Sequence, residues 1–536
     1  MSASRSGGPR PVTEAEQLDG GERERLLRSA ERGLLLTHWA QDHPDRTAIV
    51  SPAGNRTFAE LDANANRVVR ALRARGLQAG DSVALMCTNR PEFVEVWAGC
   101  LRGGLRITPV NWHLTGEEAG YIVDDCEAKA VVAASSLADA AEVAVAAAPR
   151  AEVRIAIGGE IEGWESYEAA VAAESGDALD DASLGATMLY TSGTTGRPKG
   201  VHRQTVAAQS AAAGRLYGYR EDDAHLCTGP MYHAAPLAFS IAVPLSAGVT
   251  VVVMERWDPA EALRLVQEHG ITHTHMVPTM FHRLLQLPDA VRAAHDVSSL
   301  RHILHGAAPC PVHVKQALIE WVGPVVYEYY AATEGLGTSV DSETWLTKPG
   351  TVGKPVPDDQ VLVGDERAER LPPGEVGIVW LKAPAGPGRF EYYKDGAKTE
   401  SAYEGDYFTL GDMGYVDEDG YLFLTDRSAD LIITGGVNVY PAEVDAVLLE
   451  HPAVADAAVI GIPDDDWGET VLAVVEPKPD AEAGDALATD LIEWCRGHLA
   501  HFKCPRRVDF VDVLTRGDNG KVARHRLRAK YRAAGA

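Results

Sequence analysis

The stretch "TSGTTGRPKG", residues 191–200, gathers the groups that grip phosphate. Thr191, Ser192, Thr194 and Thr195 supply hydroxyl donors, Gly193 and Gly196 let backbone N–H groups approach an anion closely, and Lys199 adds a cation. A mononucleotide loop of the commonest kind needs Gly, four residues, then Gly-Lys-Ser/Thr. Here Lys199 stands between Pro198 and Gly200 with no hydroxyl behind it, so the loop serves a different phosphate chemistry. A plain polar surface loop would not concentrate four hydroxyls in six residues.

Other residues could act with this loop. "MYHAAP" holds His233, "VYEYYAATEG" runs aromatic residues into Thr333 and Glu334, "YFTLGDMGYVDEDGYL" holds Asp412, and "TRGDNGKVARHRLR" holds Lys521. Three of these also have a structural reading: His233 as a core histidine, "VYEYYAATEG" as a buried aromatic strand ending in an exposed acid, and Lys521 as a solvated lysine in a basic tail. "DEDG" lacks the alternating ligands and distal Glu of a calcium loop, so a hairpin turn is expected there. "HTHM" sets His273 and His275 on one face of a strand, with His282, His302 and His305 further along. No carboxylate or cysteine completes a ligand set, which favours a structural role.

These residues need elements to hold them. From Thr47 short β-branched runs ("TAIVSP", "DSVALMC", "VTVVVM", "THTHMVP") alternate with amphipathic helical stretches ("TFAELDANANRVVRALRARG", "DPAEALRLVQEHG"). That alternation predicts parallel sheets flanked by helices, an α/β fold. "GERERLLRSAERGLLLTHWAQ" has helical spacing, and the polar first twenty residues read as a loose tail. After about residue 370 turns dominate and predict an antiparallel, β-rich subdomain. From 431 to 536 a compact α+β pattern predicts a small C-terminal domain, with the boundary at 427–430.

Composition narrows the partners. The 536 residues carry 50 basic and 77 acidic side chains, a net charge of −27, which opposes association with nucleic acid or an anionic membrane. An anionic nucleotide must therefore be held by local donors. The seven scattered cysteines show neither disulfide nor zinc spacing, in keeping with a reducing compartment. With no signal-peptide core near the N-terminus and no membrane-length apolar run, a cytoplasmic protein without an integral membrane segment is expected.

Taken in order, these stretches resemble the signature of the acyl-adenylate-forming superfamily, which includes acyl-CoA synthetases, peptide-synthetase adenylation domains and beetle luciferases. The resemblance runs from about residue 35 through essentially the whole chain and is strongest to a fatty-acid–CoA ligase. It implies an AMP-binding domain at 1–426, a hinge at 427–430 and a mobile C-terminal domain at 431–536 carrying the catalytic lysine. ATP or AMP would be held by Thr191, Ser192, Gly193, Thr194, Thr195, Gly196, Lys199, Ala307, Ala308, Glu328, Tyr329, Tyr330, Thr333, Asp412 and Arg427. Tyr330 would lie against the purine, Thr333 would contact the α-phosphate, Asp412 the ribose hydroxyls, and Glu334 would hold Mg²⁺. His233, Gly306 and Ala331 would border the acyl group, and Ala331 stands where the family often has Gly. Gly435 and Gly436 would line the channel for coenzyme A. Ala429 occupies the hinge position, where the family commonly has Asp or Lys. Lys521 would bridge the acyl carboxylate and the α-phosphate.

The implied reaction is ATP-dependent activation of a small-molecule carboxylic acid through acyl-AMP, with Mg²⁺, followed by transfer to coenzyme A. Pocket segments "YHAAPLAF", "MVPTMFHRLL", "LHGAAP" and "AATEGLGTSV" are mostly small and apolar, so the acid is expected to be hydrophobic: fatty, cyclic or aromatic. Transfer to a separate carrier protein and specialisation for the thioester half-reaction are alternatives. A luciferase-like oxidation fits less well. A non-catalytic nucleotide-binding protein would be expected to have lost Glu334 or Lys521, and both are present. The family also suggests a homodimer.

Overall fold

A computed structural model describes residues 24–534 apart from 26–27, 192–197, 204–217, 221, 385–387, 428–429, 435–436, 465–467 and 518–519. The chain divides into two compact units. One comprises Met1–Met276, Leu287–Leu304 and Pro384–Glu400; the other comprises Val277–Gln286, His305–Ala383 and Ser401–Ala536.

The first unit has the expected α/β build. One sheet orders its strands Glu165–Ser166, Val153–Ile157, Ala128–Ala134, Ser82–Met86, Arg106–Pro109, Ala186–Thr187, all parallel. A second runs His273–Met276, Ala224–Cys227, Thr250–Val253, Thr47–Val50 in parallel, then Arg56–Thr57 antiparallel. Local sequence sets the helices between them. Phe58–Ala74 begins with a capping box in which Thr57 and Glu60 exchange side-chain-to-backbone bonds. Its apolar face buries Phe58, Leu61, Ala65, Val68 and Leu72 in the largest core cluster. Pro259–His269 starts on Asp258, whose side chain accepts from the Glu261 N–H, with Pro259 in the first turn. The helical spacing near the N-terminus is broken by a turn at 31–33, and only Thr37–Asp42 continues as a helix before the first strand.

The second unit holds the strand-rich part. Val361–Gly364, Gly377–Lys382, Tyr407–Val416 and Tyr403–Glu404 form an antiparallel sheet joined by Leu422–Arg427. The "DEDG" segment is the turn between Tyr407–Val416 and Leu422–Arg427. There Asp417 Oδ1 accepts from the N–H groups of Asp419 and Tyr421, and Lys348 Nζ pairs with Asp417 and Asp419 at 2.7 and 2.5 Å. The last hundred residues form an α+β sheet in the order Val437–Val439, Ile432–Thr434, Gly468–Pro477, Val454–Asp464. Arg507–Phe510 is parallel to Gly468–Pro477. Ile432, Val444, Leu448, Val459, Ala473 and Leu491 close its core. No described helix is long and apolar enough to cross a membrane.

Candidate active site

In the first unit, Leu189–Thr191 pairs antiparallel with Lys199–His202, and Thr191 and Lys199 are register partners. Thr191 and Lys199 therefore stand opposite each other at the neck of the phosphate-type loop. Ser192, Gly193, Thr194, Thr195 and Gly196 lie outside the described residues. Lys199 forms an ion pair with Asp395, whose Oδ1 accepts from the Lys398 N–H. The lysine draws the Asp395 carboxyl below its ordinary range. No local sequence signal marks Asp395 as this partner, 196 positions away. His233 is half-buried, its ring 4.5 Å from that of Tyr232, and its carbonyl accepts from the Leu237 N–H. The π-helical segment Pro236–Ala242 follows, a rare geometry that is frequent at functional sites.

The second unit brings more of the expected residues together. Val326–Ala332 and Gly335–Val340 form a hairpin with Thr333 and Glu334 as its turn. Glu334 is buried. The strand register slips between Tyr330 and Ala331, just before that turn. The Tyr330 hydroxyl donates to Asp412 Oδ2 at 2.7 Å, and both residues are buried. Asp412 lies on Tyr407–Val416, and its register partner on the next strand is Arg427. Gly306 packs against Tyr329: a Cβ there would sit 2.6 Å from the Tyr329 carbonyl oxygen and 2.7 Å from Cζ of its ring. Ala307 beside it adopts φ 67°, a strained value for a residue with a side chain, and Ala308 is half-buried.

Glu328 differs from the others in this unit. Its carboxylate accepts from Lys315 Nζ at 2.6 Å, and Nζ also lies 4.7 Å from the Trp345 ring centre. Lys315 is fully buried, and His305 Nε2 is 3.6 Å from the same carboxylate. Burial pushes the Glu328 carboxyl up, with Lys315 opposing. Glu328 thus commits its side chain within the unit.

Lys521 is half-buried in a tight loop. Its carbonyl accepts from the Gly517 N–H at 2.8 Å, and Arg516 bridges to Val522 across the loop's base. Gly435, Gly436 and Ala429 lie outside the described residues; Arg427 is placed by its backbone alone.

The donor set suits Mg²⁺ held largely through nucleotide phosphates and water. Glu334 offers one buried carboxylate, and among the described residues no group of three or more His, Cys, Asp or Glu is arranged to cage a metal. The histidines of the first unit pack with protein groups instead. His273 stacks on His302 at 5.6 Å, and His225 Nδ1 is 2.8 Å from the Tyr219 hydroxyl.

Known proteins resemble the chain along most of its length. Residues 36–393 match the AMP-binding enzyme family, and residues 443–521 match the AMP-binding enzyme C-terminal domain. The chain is 34% identical over 507 residues to the fatty acid–[acyl-carrier-protein] ligase ScoC of Streptomyces coeruleorubidus, covering 92% of this chain and 95% of that protein. It is 33% identical over 517 residues to the long-chain-fatty-acid–CoA ligase FadD13 of Mycobacterium tuberculosis, covering 94% and 98%. The crystal structure of the anthranilate CoA ligase AuaEII in complex with anthranoyl-AMP superposes with a TM-score of 0.84 at 25% identity, over 94% of this chain and 98% of that one. The chain belongs to the AMP-binding enzyme family and is an acyl-adenylate-forming enzyme of the acyl-CoA synthetase type.

Proposed function

We propose that this enzyme is an AMP-forming carboxylate–CoA ligase acting on a hydrophobic monocarboxylic acid, with ATP, Mg²⁺ and coenzyme A. The observation that carries this reading is the grouping, in one unit, of the Tyr330–Asp412 pair, the Thr333–Glu334 turn and the loop bearing Lys521.

A carboxylate oxygen of the acid attacks the α-phosphorus of ATP, and the bond to pyrophosphate breaks. Thr191, Lys199 and the loop between them hold the phosphates. Thr333 donates to the α-phosphate. Asp412, oriented by the Tyr330 hydroxyl, accepts from the ribose hydroxyls, with Arg427 opposite, while Ala307, Ala308 and Tyr329 border the adenine. Glu334 would hold Mg²⁺, which would supply positive charge to neutralise the phosphates. Lys521 stabilises the charge that builds on the reacting oxygens. In the second half-reaction the thiolate of coenzyme A attacks the acyl carbonyl and AMP departs. A hinge at 427–430, centred on Ala429, moves the domain at 431–536, bringing Gly435 and Gly436 to the thiol channel. His233, Gly306 and Ala331 face the acyl group.

The likeness to ScoC favours a second reading, transfer to the pantetheine of a separate carrier protein. The test is ATP–pyrophosphate exchange across a panel of acetate, decanoate, hexadecanoate, benzoate and phenylacetate, with thioester formation measured beside it. Exchange with the hydrophobic acids and acyl-CoA product are expected. Exchange without acyl-CoA, but with loading of an acyl carrier protein, would establish the second reading. No exchange with any acid would contradict both.

A further inference from the structure

The loop that ends at Lys521 is anchored by two side chains to which the resemblance gives no individual role, Thr279 and Arg516. The Gly520 carbonyl belongs to the same rigid peptide unit as the Lys521 N–H, so fixing its direction fixes how the chain enters the lysine. Two donors meet that carbonyl: Thr279 Oγ1 at 3.1 Å and Arg516 Nη1 at 3.0 Å. Arg516 is itself held by two 2.6 Å bonds, Nε to Oδ2 and Nη2 to Oδ1 of Asp456. Gly520 has φ +72°, and a Cβ there would lie 2.9 Å from Thr279 Oγ1 and 3.0 Å from Val277 Cγ2. The helix Pro278–Leu285 thus leaves room for a glycine and no more.

The same helix makes a second contact with the C-terminal segment. His282 Nε2 lies 3.0 Å from the Ala455 carbonyl, and Gln286 Nε2 donates to it at 3.4 Å. Thr279, His282 and Gln286, spaced by three and four residues, share one helical face. Ala455 adjoins Asp456, the support of Arg516, so the two contacts form one continuous docking surface within the second unit.

We propose that Thr279, together with Arg516 on its Asp456 support, positions Lys521 for acyl-adenylate formation and has no part in thioester formation. This rests on the role of Lys521 given above. Adenylate formation requires Lys521 to be held in place, whereas transfer to the thiol requires it to be withdrawn. A contact specific to the held arrangement therefore affects one half-reaction and spares the other.

The test compares Thr279→Val and Thr279→Ser with the unmodified enzyme, using the acid that gives the fastest exchange and its acyl-adenylate. Thr279→Val is expected to lower kcat for ATP–pyrophosphate exchange about 3- to 10-fold, the worth of one hydrogen bond. The rate of thioester formation from supplied acyl-adenylate should stay within about twofold, and Thr279→Ser, which keeps the hydroxyl, should restore exchange. Arg516→Gln should show the same split, which guards against a folding defect in either variant. Equal loss in both half-reactions, a raised acid KM at unchanged kcat, or unchanged exchange would overturn the proposal while leaving the ligase reading intact. Absence of exchange in the unmodified enzyme would overturn the ligase reading, and the proposal with it.

Discussion

Glu328 and Tyr330 stand two residues apart on the strand Val326–Ala332, both buried, both polar, and they do opposite things. Glu328 meets a cation, Lys315, under the ring of Trp345. Tyr330 donates a neutral hydroxyl to Asp412. The first pair brings its countercharge with it and is complete as protein. In the second, a neutral phenol donates one hydrogen bond to a carboxylate on the neighbouring sheet, an arrangement that orients the acceptor by a hydrogen bond and not by an ion pair. Burial of a polar residue does not by itself mark a site; the chemistry of its partner does.

The largest expected effect breaks the first pair. Lys315→Met leaves a buried carboxylate without its cation and should lower unfolding free energy by about 3–5 kcal/mol. Chemical denaturation checks this. Pairing it with Glu328→Leu should return most of the loss, and nucleotide affinity of the folded double variant should be unchanged. If the double variant instead lost nucleotide binding, Glu328 would belong with Tyr330.

The second pair is tested by Asp412→Asn, which keeps the shape but removes the charge and one acceptor. Affinity for AMP, followed by titration calorimetry, should fall about 10- to 100-fold with little change in stability. Equal affinity would place the ribose elsewhere.

A smaller effect sharpens the contrast with the histidines of the first unit. His275 is buried, and burial alone depresses its pKa to about 3. The unfolded chain binds a proton near pH 6.5 that the folded chain refuses, so this contribution is fully present above 6.5 and is lost as pH falls toward 3. His275→Gln should make stability less steep across that window by about 1.4 kcal/mol per pH unit. Denaturation midpoints at pH 7, 6 and 5 would show it; an unchanged slope would mean the ring is protonated when folded.

The sequence made these contrasts partly legible. Alternating strand and helix patterns foretold the parallel sheets of the first unit, and the "DEDG" turn was readable as a hairpin, where Asp417 accepts from the N–H groups of Asp419 and Tyr421. Asp412, Tyr330, Thr333 and Glu334 were singled out by motifs, since each lies in a short stretch of distinctive spacing, and the structure pairs Tyr330 with Asp412 and sets Thr333 and Glu334 in one turn. The partners were not. Lys315 bonds from a helix to a strand, Asp395 reaches Lys199 across 196 residues, and Thr279 reaches Gly520 across 241. Such pairs are decided by how elements pack, which no local pattern records. The left-handed backbone at Ala307 was equally invisible, because alanine carries no signal for a positive φ. The helical spacing near the N-terminus gave no hint of the turn at 31–33.

The central claim is that one lysine serves acid activation and not thiol transfer. Lys521→Ala, assayed for acid-dependent ATP–pyrophosphate exchange and for thioester formation from supplied acyl-adenylate, tests it most directly. Exchange should fall about 100- to 1000-fold while thioester formation stays within about twofold. Exchange at the unmodified rate, or equal loss of both activities, would contradict the account.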